Sequence, residues 1–309
     1  MTRLLVIAPP DFAPLDLLGR EAPDVALSIG TESEQLRNDA AHADAVLIAP
    51  RYGALLTELW RDLGNVRWIH TLAAGVEFLP FDLLRRTDVV VTSSRGLYAD
   101  ALGEFAIAAM LWFAKDLRRM VRNQDARRWE PYTVERLEER TVGIVGYGGV
   151  GEAVGRRAAA LGMRVLPVRR RQEFGEPTLD EVIAQSDYVV LSTPLTPGTY
   201  RLLSRERIAA MKPNAVLINL GRGATVDEDA LLDALRNQRI RGAALDVFEA
   251  EPLPADHPLW QFDNVLISPH TADHTADAHV RAMQFFIENL KRFRAGESLQ
   301  NVVDKHEQY

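Results

Sequence analysis

The sequence contains no cysteine, so disulfide bonds, cysteine nucleophiles and thiolate metal ligands are all excluded. This absence is typical of proteins of the reducing cytoplasm, and we expect a cytoplasmic protein without a metal site. The sequence also lacks any apolar run near the ~20 residues that a membrane helix needs. Its first apolar stretch, residues 4–8, meets prolines and acids at once and is typical of a β-strand, not of a signal peptide. We therefore expect no membrane partner.

Lysine is nearly absent. It accounts for four of the 36 basic residues, and arginine supplies the rest, a bias that a GC-rich genome explains at most positions. Acidic residues number 43, and the resulting net charge of −7 predicts no nucleic-acid partner. A hydrophobic content of 47% indicates a folded protein, and a length of 309 residues suggests two domains, with one large domain as the alternative.

Short aliphatic runs alternate with segments of helical spacing along most of the chain. The first series of runs covers 4–8, 25–29, 45–49, 66–70 and 89–92. The second series covers 141–146, 163–168, 188–193, 215–220, 242–248 and 264–269. A long helical stretch at 101–123 separates the two series, and an amphipathic helical segment at 275–294 follows them. Strands that alternate with helices predict an α/β fold with two doubly wound parallel sheets.

A glycine-rich motif stands between a predicted strand and a predicted helix at the start of the second series. Gly146, Gly148 and Gly151 form the pattern G-x-G-x-x-G. In this context the first glycine permits a tight turn, the second lets the backbone approach a pyrophosphate, and the third allows close packing of helix on strand. The helix N-terminus then offers N–H groups to the anion. The motif predicts a bound nicotinamide dinucleotide.

The end of the next strand bears on the choice between NAD(H) and NADP(H). An NAD site usually has an acidic residue there, about 20 residues after the motif, to accept hydrogen bonds from the ribose. Here Arg169, Arg170 and Arg171 follow the strand instead. Guanidinium groups bind a 2′-phosphate through charge-assisted hydrogen bonds, whereas a carboxylate repels it. We therefore expect NADP(H) to be favoured and NAD(H) to remain possible. The alternative is that the arginines are only a solvated surface run.

Three polar motifs follow later strands, where doubly wound sheets bind their ligands. They are Asn219-Leu220-Gly221-Arg222-Gly223, Asp246-Val247-Phe248-Glu249-Ala250-Glu251-Pro252 and Ser268-Pro269-His270. With the glycine motif before them, and in this order, they resemble the D-isomer-specific 2-hydroxy acid dehydrogenases over nearly the whole chain. The resemblance implies a Rossmann nucleotide domain at 101–270. It is inserted into a flavodoxin-like substrate domain built from 1–100 and 271–309.

The resemblance also implies the site residues. It implies a catalytic triad of Arg222, Glu251 and His270, with Arg222 also binding the substrate. It implies a loop that binds the substrate carboxylate through its backbone, formed by Ala74, Gly75 and Val76. The cofactor contacts that it implies, beyond the glycines and arginines already named, are Gly149, Val150, Thr193, Pro194, Leu220, Gly221 and Asp246.

The residue types of the triad suit the reduction of a 2-keto acid. Histidine changes charge near neutral pH and is the natural proton donor to the carbonyl oxygen. Glu251 would accept from the other ring nitrogen and favour the imidazolium form. Arg222 carries a fixed charge that suits a substrate carboxylate and a polarised carbonyl. His274 is an alternative candidate for the catalytic histidine, but the Ser-Pro-His context favours His270.

The substrate side chain cannot be read from the sequence. Glyoxylate and hydroxypyruvate are our leading expectations. A bulkier 2-hydroxy acid, or 3-phosphoglycerate with NAD, is an alternative, and a dinucleotide-sensing corepressor is another of a different class. A formate or phosphite dehydrogenase has no feature in its favour, and an L-specific dehydrogenase is disfavoured because its glycine motif lies near the N-terminus. One departure from the family pattern is Asp273, where glycine is common.

Assembly is also implied by the resemblance, since this family is usually dimeric. We expect a homodimer in which the long helix at 101–123 takes part. The apolar residues that this expectation rests on are Phe105, Met110, Leu111, Trp112 and Phe113. Trp129 and Tyr132 lie in the arm that follows, and one of them is a candidate to reach the partner subunit.

Overall fold

The computed structural model describes residues 1–170 and 175–308, so Arg171 lies outside the described residues. The chain divides into two compact units. One consists of Met1–Leu97 with Thr275–Tyr309, and the other of Tyr98–His274. Each unit is an α/β structure around one parallel sheet, and the fold class predicted from the alternating pattern is confirmed.

The first unit contains a five-stranded parallel sheet in the order β2-β1-β3-β4-β5, which is the flavodoxin-like order. Its strands are β1 Arg3–Ile7, β2 Ala26–Gly30, β3 Ala45–Ile48, β4 Trp68–Thr71 and β5 Val90–Ser93. Its helices are α1 Leu15–Glu21, α2 Ser33–Ala40, α3 Gly53–Leu59, α4 Phe81–Leu84 and α11 Ala278–Ala295. Every residue of β3 and β4 is buried, as expected of central parallel strands that helices cover on both faces.

The C-terminal residues complete this first sheet. Helix α11 packs on α1 and is capped by Gly296, whose φ of +71° suits a glycine helix cap. Beyond the helix, Val302 pairs in the antiparallel direction with Thr92 of β5. The Val303 N–H donates to the carbonyl of Val91 at 2.8 Å. The end of the described chain therefore covers the edge strand β5.

The second unit contains a six-stranded parallel sheet in the order β11-β10-β9-β8-β6-β7. Its strands are β6 Thr141–Val145, β7 Arg164–Val168, β8 Tyr188–Leu191, β9 Val216–Asn219, β10 Gly242–Leu245 and β11 Val265–Ile267. Its helices are α5 Ala99–Ala114, α6 Leu117–Asp125, α7 Gly149–Ala160, α8 Leu179–Gln185, α9 Arg205–Ala210 and α10 Glu228–Arg236. The strand order reverses at β6, which has β7 on one side and β8 on the other. Ligands of such sheets bind at this switch point.

The single long helix predicted over 101–123 is wrong, because the structure has two helices there. Helix α5 ends at Ala114 and α6 begins at Leu117. Asp116 between them adopts a left-handed φ of +49°, and its side chain caps α6 by accepting from the Arg119 N–H at 3.3 Å. Aspartate tolerates this backbone and is a good N-cap, so it ends one helix and starts the next. The apolar residues keep helical spacing on both sides of Asp116, so the sequence pattern does not reveal the break between the helices.

The apolar residues of α5 also differ from the expectation for an exposed helix face. Met110 and Phe113 are buried in the core of the second unit, so neither offers apolar surface to a partner. Phe105, Leu111 and Trp112 are only partly buried. The surface available on this helix is therefore smaller than the sequence suggests.

Candidate active site

The glycine motif forms the turn between β6 and α7. Gly146 adopts a φ of +94°, which glycine takes without strain. A Cβ on Gly151 would lie 2.4 Å from the carbonyl oxygen of Gly146, so the helix packs against this turn at a distance that only glycine allows. Gly148 and Gly149 at the start of α7 are exposed, and a Cβ on Gly148 would meet nothing within 4 Å. The turn thus leaves room beside the helix N-terminus, and Val150 follows on the first turn of α7, partly buried.

Thr193 lies beside this turn, after β8. A Cβ on Gly146 would come within 2.9 Å of the Thr193 nitrogen, and a Cβ on Gly221 within 2.6 Å of the Thr193 oxygen. The Thr193 hydroxyl is buried and has no hydrogen-bond partner within the described residues. Because buried polar atoms are rarely left without a partner, this orphaned hydroxyl beside the glycine turn fits a site for a bound dinucleotide. Of the neighbouring candidates, Pro194 is exposed and Leu220 is buried in the core.

Arg169 follows β7, and among the described residues it contacts Tyr147 and Glu176. Its guanidinium carbon lies 4.7 Å from the ring centroid of Tyr147, within the glycine motif. Its Nη1 donates to Glu176 Oε1 at 3.2 Å. Arg170 is exposed. The sequence shows no acidic residue directly after the strand, and Glu176 was not predicted as a neighbour of Arg169. It comes seven residues later, in a connecting segment where no helical or strand periodicity indicates which side chains meet.

The loop after β9 holds Arg222 through its backbone. Asn219 is buried, donates from Nδ2 to the Arg222 carbonyl at 3.0 Å, and accepts from the Gly221 N–H at 3.1 Å. The Thr225 hydroxyl donates to the same Arg222 carbonyl at 2.6 Å. A Cβ on Gly223 would lie 1.8 Å from the Phe248 carbonyl carbon, so the loops after β9 and β10 touch at a point where no side chain fits. Asn219 thus positions the backbone of Arg222. It is part of the N-x-x-R-G motif, but the sequence pattern alone indicates no role for it.

His270 and Glu251 form a hydrogen-bonded pair. His270 Nδ1 donates to Glu251 Oε2 at 2.7 Å, and Glu251 Oε1 accepts from the Phe248 N–H at 2.9 Å. Both carboxylate oxygens are therefore held. An ionised carboxylate only accepts, so the pair places a proton on Nδ1. Nε2 is then the ring nitrogen that can exchange a proton with a ligand.

The pair shifts the titration of both groups. The hydrogen bond from Nδ1 to Glu251 raises the pKa of His270, with further support from the charges of Glu251 and Asp246. Burial opposes ionisation of Glu251. The hydrogen bonds from His270 and the Phe248 N–H outweigh it, so the pKa of Glu251 is lowered. The charge of Arg222 acts on both groups, which places all three predicted residues in one electrostatic neighbourhood.

Asp246 holds the loop that carries His270. Its buried Oδ1 accepts from the Ser268 hydroxyl at 2.5 Å and from the N–H groups of Thr271 and Ala272 at 3.0 and 3.1 Å. His270 lies between these donors with a φ of +55°, an unfavourable backbone for a histidine. Asp246 thus constrains the chain on both sides of the strained residue. Its implied contact to a cofactor remains a prediction.

The alternative histidine has a different neighbour. His274 Nε2 lies 3.8 Å from Asp273 Oδ1, and the side chain of His274 is 62% exposed. Asp273, the departure from the family pattern, therefore lies beside His274 in this structure.

The loop at Ala74, Gly75 and Val76 lies in the first unit, after β4. Thr71 Oγ1 accepts from the Ala73 N–H at 3.1 Å, and the Ala73 carbonyl accepts from the Ser94 N–H at 2.9 Å. Within the described part of the chain, the N–H groups of Ala74, Gly75 and Val76 make no hydrogen bond. Adjacent unpaired N–H groups suit an anion such as a carboxylate.

The described residues hold neither a cluster of metal-ligating side chains nor a membrane-spanning helix. Over 1–170 and 175–308, no group of histidines and acids is arranged to hold a metal ion. In the same ranges, no helix has both the length and the apolar character needed to span a bilayer.

Comparison with known proteins identifies the family. Residues 107–272 match the model of the D-isomer specific 2-hydroxyacid dehydrogenase, NAD binding domain. A glyoxylate reductase from Thermofilum pendens is 35% identical over 258 residues, which cover 78% of this chain and 76% of that protein. The chain belongs to the D-isomer-specific 2-hydroxyacid dehydrogenases, and is an NAD(P)-dependent oxidoreductase that acts on the CH–OH group of small hydroxy acids.

Solved structures with the same fold hold either cofactor. The family member from Xanthobacter autotrophicus, solved with NADPH and MES, has a TM-score of 0.81 and 30% identity, and the match covers 100% of this chain and 99% of that one. The D-lactate dehydrogenase from Aquifex aeolicus, solved with NAD and lactic acid, has a TM-score of 0.81 and 26% identity, with 96% of each chain covered.

Proposed function

We propose that this chain reduces a small 2-keto acid, glyoxylate or hydroxypyruvate, to the D-2-hydroxy acid with NADPH as the favoured cofactor. The observation that carries the proposal is the His270–Glu251 pair with the charge of Arg222 beside it. A proton donor whose pKa is raised and a fixed cation together meet the needs of carbonyl reduction.

His270 supplies the proton. Glu251 keeps Nδ1 protonated, so a second proton on Nε2 makes the imidazolium that can donate to the carbonyl oxygen. A nicotinamide dinucleotide held at the glycine turn would supply the hydride to C2 of the keto acid. After donation, His270 remains neutral with its proton on Nδ1, still bonded to Glu251, and regains the Nε2 proton from water.

Arg222 binds the acid and stabilises the charge that develops on the carbonyl oxygen. Its guanidinium stays ionised at any working pH and offers several donors in one plane. The N–H groups of Ala74, Gly75 and Val76 bind the substrate carboxylate. Arg222→Lys therefore raises KM and lowers kcat, because a lysine cannot reproduce the planar donor set.

Several residues would hold the dinucleotide. The exposed start of α7 at Gly148 and Gly149 suits the pyrophosphate, and the Thr193 hydroxyl gains a partner on binding. Arg169 and Arg170 favour the 2′-phosphate of NADPH. The Thermofilum relative named glyoxylate reductase supports the substrate class, and the Xanthobacter structure with NADPH supports the cofactor.

The decisive experiment is a panel of 2-keto acids assayed with NADPH and NADH. We expect the highest kcat/KM for glyoxylate or hydroxypyruvate and a ratio of NADPH to NADH above one. His270→Ala serves as the matched chemical control and should lower kcat by about 10²–10⁴-fold, the range of general acid catalysis. A ratio below one overturns the cofactor proposal, and steady turnover only with bulkier keto acids overturns the substrate proposal.

We further propose a homodimer formed through the second unit. The arm after α6 carries Trp129 with 97% of its surface exposed, and Met120 and Val121 on α6 are about half exposed. Tyr132 does not share this role, because its hydroxyl donates to the carbonyls of Lys115 and Asp116 and its ring lies under Arg119. Trp129 is therefore the aromatic side chain of the arm that would contact a partner subunit.

A further inference from the structure

Arg169 is held from two sides in the second unit. The aromatic face of Tyr147 lies 4.7 Å from its guanidinium carbon, and Glu176 Oε1 accepts from its Nη1 at 3.2 Å. The side chain of Glu176 is only 25% exposed, against 44% for Arg169. The carboxylate is thus the more sheltered partner of the pair.

Tyr147 is a fixed platform for this arginine. A Cβ on Gly155 would lie 2.5 Å from the Tyr147 hydroxyl, so the ring rests directly on helix α7 where the helix carries no side chain. The N–H groups of Gly146 and Tyr147 donate to the carbonyl of Val168 at 3.0 and 3.2 Å. The glycine turn and the residue before Arg169 are therefore tied together, and the guanidinium has little freedom to leave the turn.

We propose that Glu176 is a specificity-determining residue that opposes the 2′-phosphate of NADP(H) by holding Arg169 in an ion pair. A 2′-phosphate bound by Arg169 brings a dianion close to the Glu176 carboxylate. Either the ion pair breaks or two anions share one guanidinium, and both outcomes weaken binding. A dinucleotide without the 2′-phosphate meets neither cost. Glu176 therefore narrows the preference for NADPH that the arginines create.

This inference rests on the proposed dinucleotide site but not on which cofactor the enzyme prefers. Glu176 shifts the balance toward NAD(H) from whatever value the other residues set. The missing acid at the tip of β7 is thus partly replaced by an acid from later in the chain, which acts on the arginine.

The test measures binding of two nucleotides that differ in the 2′-phosphate. Adenosine 2′,5′-bisphosphate and 5′-AMP are titrated by calorimetry into the wild type and Glu176→Gln at low salt. We expect the Kd for the bisphosphate to fall by about threefold to tenfold, the effect of removing one partly exposed charge. We expect the Kd for 5′-AMP to change less than about twofold, because 5′-AMP lacks the group that Glu176 opposes.

Glu138→Gln is the matched control. The substitution breaks another arginine–glutamate pair of the same unit, in which Arg136 lies 2.9 Å from Glu138. Glu138 lies near Gly162, just before the start of β7, whereas Arg169 follows the end of that strand. The substitution should change neither Kd. Thermal unfolding of each variant checks that the fold is intact.

Three results overturn the inference: an unchanged or higher Kd for the bisphosphate, an equal fall for both nucleotides, or weaker binding of 5′-AMP. The last would mean that Glu176 accepts hydrogen bonds from the ribose. The cofactor proposal is tested separately by the wild-type ratio of kcat/KM for NADPH and NADH. If the wild-type ratio of NADPH to NADH is below one and Glu176→Gln selectively tightens binding of the bisphosphate, the cofactor proposal is wrong and this inference is supported.

Discussion

The protonation of His270 depends mainly on the carboxylate of Glu251. Because the hydrogen bond to Glu251 raises the pKa of His270, the imidazolium persists to a higher pH than for a free histidine. Keto-acid reduction needs this form, so kcat falls as pH rises through the raised pKa. Glu251→Gln keeps an acceptor but removes the charge, and should move this fall to lower pH.

The measurement is kcat for reduction across a pH series with saturating NADPH. Glu249→Gln, at an exposed position two residues earlier, is the control and should keep the wild-type profile. Coincident profiles for Glu251→Gln and the wild type would contradict the role assigned to the pair.

We predict a second pH dependence, in the free energy of unfolding, from the buried His70 in β4. It is fully buried, its Nδ1 lies 2.7 Å from the Thr92 hydroxyl, and burial lowers the pKa of His70 to about 3. The unfolded histidine titrates near the ordinary value of about 6.5. Between these values the unfolded chain binds the additional proton, so the free energy of unfolding falls as pH falls from about 6.5 toward 3, by at most about 1.4 kcal/mol per pH unit.

We expect His70→Asn to reduce this slope, because asparagine does not titrate. Urea unfolding followed by circular dichroism between pH 7 and 4.5 gives the slope for each variant. His42→Asn, at an exposed position of the same unit, should leave the slope as in the wild type. A slope in His70→Asn equal to that of the wild type would show that the acid sensitivity has another source.

Among the elements, the loop after β11 is held by the side chain of Asp246. Asp246→Ala removes the acceptor for the part-buried hydrogen bonds from the N–H groups of Thr271 and Ala272, and a hydrogen bond to a charged group contributes about 1.5–3 kcal/mol. The left-handed backbone at His270 then loses its constraint. We expect kcat to fall at least tenfold, and the pKa of His270 to fall as well, because the charge of Asp246 helps to raise it.

Asp246→Asn separates positioning from charge. The amide oxygen still accepts from the loop, so it should restore most of the kcat lost in Asp246→Ala, while the pH profile stays shifted to lower pH. Nucleotide binding measured by calorimetry shows whether either variant has lost its cofactor site instead. No recovery in Asp246→Asn would refute the positioning role.

The elements also show what sequence reasoning could reach. Every predicted aliphatic run overlaps a strand, because buried parallel strands are nearly continuous in apolar residues. Arg222, Glu251 and His270 come together because parallel strands β9, β10 and β11 are neighbours and end at the same edge. The break at Asp116, the Asp246 contacts and the Glu176 pair escaped prediction, because each depends on a single side chain meeting a partner outside any periodic pattern.

For the whole molecule, the proposed dimer makes a prediction about mass in solution. The exposed apolar residues of α6 and the arm would be covered in a dimer, and Trp129 is the largest of them. We expect the wild type to sediment at micromolar concentration with twice the mass of one chain. Replacing Met120 and Trp129 together by serine should shift it toward the monomer.

Trp260→Ser is the control for this change, since Trp260 is another exposed tryptophan of the same unit, 49% exposed. It should leave the sedimentation coefficient unchanged. A wild-type protein that sediments as a monomer at these concentrations would rule out the dimer.

The path of the chain sets the order in which the two units become complete during synthesis. The first unit starts with β1 but also needs α11 and the residues that cover β5, whereas the second unit ends at His274. A ribosome releases the chain from the N-terminus, and domains usually fold in that order. Here the second unit has all its residues before the first does. The strands at 3–93 are therefore synthesised first but lack α11 until the end of synthesis, while the second unit can already fold.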